Sequence, residues 1–190
     1  LDLPPFTMIA ATTRIHLLSG PLRSRFGASF KLDYYNQKDI EAILKRSAKI
    51  LKINVNGGGM ETVARAARFT PRVANRLLKR VRDYAEVHNI KLIDAETAGK
   101  TLALMAIDDL GLEMMDRHFL EIIIKKFDGG PVGINSLAAA LNDDAENLEG
   151  VVEPYLLTIG FLRRTATGRT ATGLAYRHLG LKLPHAALPL

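Results

Sequence analysis

The hydrophobic rhythm of the chain changes twice along its length. Phe6–Ala11 (FTMIAA) is a short apolar run between Pro5 and Thr12 and predicts a buried strand of an α/β sheet. Leu22–Phe26 predicts a single helical turn, and the alternating Phe30–Tyr34 (FKLDY) predicts a second strand. From Asn36 the period becomes helical. Asn36 is a capping residue, and Ile40, Ile43, Leu44, Ala48 and Leu51 fall on one stripe. Gly57-Gly58-Gly59 is expected to break the chain before a helix near Met60–Arg68 that carries Val63, Ala64 and Ala67. Thr70-Pro71 is a cap followed by a proline at the first helical position. It starts a third helix with Val73, Leu77, Leu78, Val81 and Tyr84 inward. Asp94 caps a fourth, running to about Ile107. Four such helices in succession predict a small bundle.

Beyond an expected boundary at Asp108–Gly111, Asp116–Phe127 reads as a helix with Phe119, Leu120, Ile123 and Ile124 inside. Gly129-Gly130-Pro131 turns the chain, and Asn135–Leu141 is a short helix. Glu146–Ile159 is a longer one, with Leu148, Val151, Val152, Tyr155, Leu156 and Ile159 on one face. Pro154 should kink it and Gly160 should end it. The FLRRT and RTAT segments flank Ala166-Thr167-Gly168 and predict a β-hairpin. Three helices and then a hairpin is the order of a winged-helix domain. The expected fold class is therefore mostly α with minor β, divided at 1–35, 36–107 and 108–183, with a tail at 184–190.

Composition narrows the function classes. Hydrophobic residues make up 47% of 190, enough for a real core, and there is no cysteine. Lack of cysteine, of a signal peptide and of a long apolar run leads us to expect a cytoplasmic protein without a membrane span. The chain begins at Leu1 and opens as if in mid-domain, so it is expected to be a piece of a longer protein. Net charge is +6, unevenly spread: +2 over residues 1–35, +7 over 36–107 and −3 over 108–190. Glu153 is the last acidic residue. Arg163, Arg164, Arg169, Arg177 and Lys182 follow it and read as an unopposed basic surface for an anionic polymer, or as solubilising charge.

Four places could carry chemistry. Thr12-Thr13 ends the first predicted strand, where a hydroxyl can orient a water or sense a γ-phosphate. PLRSRFG (21–27) sets Arg23 and Arg25 on a turn; the planar fork of arginine suits phosphate, although a solvated loop arginine looks the same. Arg72 lies in the first turn of its helix, where the macrodipole disfavours a bystander cation, whereas Arg76, Lys79, Arg80 and Arg82 read as a solvated face. Arg164 and Arg169 bracket the hairpin turn and suit duplex phosphates. The five histidines lack metal-ligand spacing, and no metal site is expected. The carboxylate pairs Asp108-Asp109 and Asp143-Asp144 are explained by capping. No G-x-x-x-x-G-K-[ST] and no acidic Walker-B pair occurs.

Taken together, IAATTR (9–14), PLRSRFG (21–27), TPRVANRLLKRVRDYA (70–85), MDRHFLEIIIKKFDGGPVG (115–133), SLAAAL (136–141), EPYL (153–156), GFLRRT (160–165) and AYRHLG (175–180) resemble the bacterial RuvB family of Holliday-junction branch-migration motors. The resemblance covers essentially the whole chain in family order. It implies an AAA+ ATPase acting as a homo-hexameric ring on duplex DNA at Holliday junctions, with a junction-recognition protein and a junction resolvase as partners. The segments would be the C-terminal end of the large ATPase domain (1–35), a helical lid (36–107) and a winged helix (108–183). Thr13 falls at the sensor-1 position and Arg25 at the arginine finger, beside Arg23. Tyr35 matches a nucleotide-contacting tyrosine and Arg72 the sensor-2 arginine. Arg164 and Arg169 match DNA-contacting arginines of the wing. ATP or ADP with Mg²⁺ would be the cofactor, the Walker lysine and Mg²⁺ ligands lying upstream. The family wing reads R-T-P-R-G-R, whereas here Ala166 and Thr167 replace the proline and central arginine. That loss predicts a lighter grip and a salt slope shallower by about one phosphate. Two other readings stay open: a non-catalytic winged-helix regulator with a helical bundle attached, and a clamp-loader-like relative.

Overall fold

A computed structural model describes residues 4–183; the expected tail at 184–190 lies outside the described residues. The chain divides into two compact units, Leu1–Asp33 and Tyr34–Leu190.

In the first unit a 3₁₀ turn at Ile15–Leu17 precedes helix α1 (Gly20–Ser24). The Ser19 hydroxyl accepts from Leu22 N at 3.4 Å, and Pro21 sits in the first turn. This cap and proline start the helix earlier than the predicted Leu22–Phe26. Neither predicted strand is present: Phe6–Ala11 and Phe30–Tyr34 are irregular, and Ile9 is 92% exposed. A strand exists only when another strand takes up its backbone groups. The one sheet among the described residues is the hairpin at Leu162–Ala171.

The second unit begins with the predicted bundle: α2 (Gln37–Leu51), α3 (Gly57–Arg65), α4 (Pro71–Val87) and α5 (Ala95–Leu104). Asn36 and Asp94 cap as expected, accepting from Asp39 N at 2.9 Å and Thr97 N at 2.8 Å. Thr70 does not; its hydroxyl donates to Arg68 O instead. The glycine triplet is no break but the first turn of α3, capped by Asn56, whose side chain accepts from Gly59 N at 2.9 Å. Glycine is needed there because a Cβ on Gly59 would lie 2.8 Å from Ile93 O, where Val55 and Ile93 form a parallel bridge. Ile40, Leu44, Val63, Leu77, Leu78, Val81 and Leu102 build one core.

A second core forms from α6 (Met114–Lys126), α7 (Ile134–Leu141), the short α8 (Ala145–Asn147), α9 (Glu153–Thr158) and the hairpin β1 (Leu162–Thr165) and β2 (Gly168–Ala171). The predicted kink at Pro154 takes the form of a π-helical turn, Leu148–Val152, joining α8 to α9. Proline lacks a backbone N–H and clashes with the carbonyl four residues back, and the wider turn relieves both. The wider turn also shifts the helical phase. Val151, expected inside, is 63% exposed, while Leu148, Val152 and Leu156 are buried.

Two features escaped the periodicity. Val132 and Arg169 exchange backbone hydrogen bonds of 3.0 and 2.8 Å, adding a one-residue third strand to the hairpin. A final helix, α10 (Gly173–His178), closes the core with Ala175 and Tyr176. Gly168, at φ +146°, lies so close to Val132 O that a Cβ would stand 2.5 Å from it. The described part is thus mostly helical with a small two-stranded sheet, arranged as a helical bundle followed by a winged helix.

Candidate functional site

The hairpin register pairs Arg164 with Arg169 across the two strands, so both side chains lie on one face, above α9. The sequence reading left these arginines unopposed, and the structure corrects it. Glu153, at 0% exposure, receives both: its Oε2 accepts from Arg164 Nε at 2.8 Å and from Arg164 Nη2, and its Oε1 accepts from Arg169 Nε at 2.7 Å. Glu149 accepts from Arg169 Nη2 and stands 3.8 Å from Arg164 Nη2. These acids lie 11 to 20 residues upstream, and the hairpin folds back onto them. The Arg164 side chain stays 50% exposed, whereas that of Arg169 is 13% exposed. Burial pulls the Arg169 pKa down, but Glu153 and Glu149 outweigh it and hold the guanidinium above its usual value. Arg163 points to the other face, exposed and outside the ion pairs found among the described residues.

A second polar cluster joins the bundle to the winged helix at the expected boundary. Arg68, held at φ +52°, donates from Nε to Gly111 O at 2.7 Å and from Nη2 to the buried Asp116 carboxylate. Its guanidinium also stacks 4.8 Å from the centre of the Tyr155 ring, whose hydroxyl donates to Leu110 O. Burial, with smaller contributions from Asp108 and Asp116, pushes the Tyr155 hydroxyl up to about 12 against the pull of Arg68. Arg117 donates to Ala106 O and Leu112 O, both at 2.7 Å, and Arg76 pairs with Glu113 at 2.9 Å. Arg76 stays on the solvated face to which its spacing assigned it, its side chain 52% exposed, and gains Glu113 as a partner there. The MDRHF and EPYL strings contain Asp116 and Tyr155, but nothing in their spacing links them to Arg68.

Asp108 does act as a backbone acceptor, taking Leu110 N at 3.0 Å and Leu112 N at 2.8 Å. It also meets His178 Nε2 at 2.8 Å, a pairing across 70 residues that the spread of the histidines concealed. With Asp109 these residues form a trio whose ligand atoms lie within 4.8 Å. The amides and His178 already occupy the Asp108 carboxylate, which accounts for the trio as a structural knot.

The remaining candidates are solvent-facing. In the first unit, Thr13 and Arg23 are exposed, and Arg25 forms the exposed C-cap of α1. In the second, Tyr35 is exposed just before the Asn36 cap, and Arg72 is exposed in the first turn of α4. Arg25 and Arg72 enter no ion pair among the described residues, so each offers an uncompensated guanidinium. Such groups fit a polyphosphate, which takes fixed positive charge and paired donors. No helix among the described residues is long and apolar enough to cross a membrane.

Comparison with known proteins covers nearly all of the chain. Residues 1–32 match the Holliday junction DNA helicase RuvB P-loop domain, 35–108 the RuvB AAA lid domain, and 109–180 the RuvB C-terminal winged-helix domain. The RuvB Holliday junction branch-migration motor of Thermotoga maritima superposes with a TM-score of 0.82 at 46% identity, over 89% of this chain and 57% of that one. A point variant of the same protein gives 0.86 at 46% identity, over 96% and 61%. The chain thus spans about three fifths of the length of these neighbours. With three consecutive RuvB domains matched in order and the lid and winged helix seen in the fold, the chain belongs to the RuvB family of Holliday-junction branch-migration motors.

Proposed function

We propose that this chain is the nucleotide-sensing and DNA-gripping part of a hexameric, ATP-driven branch-migration motor that works with Mg²⁺ in the cytoplasm, in DNA recombination and repair. Its segments would be the end of the large ATPase domain at 1–35, the lid at 36–107 and the DNA-binding winged helix at 108–183. The bound nucleotide supplies the phosphoryl chemistry. Thr13, Arg72 and Tyr35 would sense it from within the subunit, and Arg25 would reach the phosphates held by a neighbouring subunit. The wing, through Arg164 with Arg169 behind it, would hold duplex phosphates at a Holliday junction. A junction-recognition protein and a resolvase would be its partners.

The observation that supports this reading is that Arg25 and Arg72, the arginines that the RuvB resemblance assigns to the nucleotide, are exposed and enter no ion pair among the described residues. The 190-residue chain contains no phosphate-binding loop of the Walker type and is expected not to hydrolyse ATP alone. In the full-length protein, Arg25→Ala should cut ATP turnover by about 10³-fold or more while leaving duplex binding within a factor of two. Turnover that survives the substitution removes the finger assignment.

A further inference from the structure

We infer that Glu153 and Glu149 set the strength of the wing's grip in opposite directions. Glu153 is a positioning residue that orients the arginines, and Glu149 occupies the place of a DNA phosphate and must yield to it. The inference rests on the wing as the DNA contact.

Glu153 is fully buried, and both of its oxygens are engaged by the wing arginines. A carboxylate in that position cannot be left uncompensated, so it fixes the plane of each guanidinium through the inner Nε edge. Arg164 gives both Nε and Nη2 to one oxygen, which turns the rest of its half-exposed fork outward. Arg169 is clamped between the two acids, Nε on Glu153 and Nη2 on Glu149. Arginine recognises phosphate through paired donors, and donors already aimed lose less freedom on binding.

Glu149 differs. Its side chain is 43% exposed, it sits on the π-helical turn, and its Oε1 lies against the Nη2 groups of both arginines. One anionic oxygen shared between two guanidinium groups is the arrangement a phosphodiester oxygen would adopt there. Two arginines and two glutamates sum to zero, so the folded wing gives no net charge from this cluster. A phosphate that approaches must displace the outer carboxylate, because the inner one is sealed. The π-helical turn ahead of Pro154 places Glu149 at this outer position.

Removal of the same charge should therefore act with opposite sign at the two sites. In the full-length protein, Glu149→Gln should tighten binding to mixed-sequence duplex DNA by about 2–5-fold, the scale of one exposed ion pair. Its log-affinity slope against log salt should steepen by about 0.9, one additional neutralised phosphate. Glu153→Gln should weaken binding by a similar or larger factor. Glu146→Gln serves as the control, since Glu146 is exposed on α8 and joins no ion pair among the described residues. Fluorescence anisotropy between about 50 and 200 mM salt reads all three.

The inference is overturned if Glu149→Gln leaves affinity and slope unchanged or weakens binding. It is also overturned if Glu146→Gln tightens binding equally. If Glu153→Gln fails to fold, the exposed Glu149 and Glu146 substitutions still decide. Arg164→Ala separates the underlying reading: no loss of binding there removes the wing as the contact. A loss at Arg164 without a gain at Glu149→Gln removes only the role of the acids.

Discussion

Arg68→Met tests whether the bundle and the winged helix are held together by one buried ion pair. The Asp116 side chain is 4% exposed and Arg68 is its cation; the other donor to this carboxylate is Glu113 N at 2.7 Å. Methionine keeps most of the aliphatic stem but removes the guanidinium, its bond to Gly111 O and its stacking on Tyr155. Loss of one partner of a buried pair costs about 3–5 kcal/mol, because the remaining charge is stranded. For a chain of this size that corresponds to a fall of about 6–20 °C in Tm.

The pH dependence gives a second readout. Burial raises the Asp116 pKa above its usual value, and Arg68 and the Glu113 amide pull it back. A carboxyl whose folded pKa is raised binds more protons folded than unfolded, so stability falls as pH rises through the window above the ordinary value. Without Arg68 the folded pKa climbs further, and the decline should extend to higher pH than in the parent. Asp116→Asn keeps an acceptor for Glu113 N and cannot ionise; added to Arg68→Met it should recover most of the loss and flatten that profile. Thermal unfolding between about pH 4 and 8, followed by circular dichroism, measures both. A loss under about 1 kcal/mol, or additive single substitutions, would refute the coupling.

Two further expectations concern single hydrogen-bonded positions. Asn56→Ala should cost about 0.5–2 kcal/mol in chemical denaturation through the lost cap of α3, whereas Gly59→Ala should cost more because its Cβ meets the Ile93 carbonyl. Tyr155→Phe should cost about 1–3 kcal/mol, since the half-buried Leu110 carbonyl loses its donor, and should not alter the pH profile below about pH 8.

Much of the fold was legible because helices advertise themselves locally. Asn36, Pro71 and Asp94 mark three helix starts, and the stripe at Ile40, Leu44 and Ala48 marks a buried face without reference to any distant residue. The hairpin was legible from its turn. The strands at Phe6–Ala11 and Phe30–Tyr34 were not secured by their apolar pattern, because a ladder needs a partner that the pattern does not contain. The glycine triplet misled for the opposite reason. Its local meaning is a break, but the Asn56 cap and the Ile93 carbonyl make it the first turn of a helix.

The sequence by itself determined the helical bundle, the winged-helix order and the family, and it nominated the arginines proposed to meet phosphate. Those properties depend on local period, capping chemistry and residue type at short spacing. Only the tertiary structure decided how those arginines are held. Arg25 and Arg72 enter no ion pair among the described residues, Arg164 and Arg169 share two glutamates, and Arg68 locks Asp116 across 48 residues. Charge summed along a chain cannot show this, because a buried carboxylate acts over a few ångströms of space and not over residues of sequence.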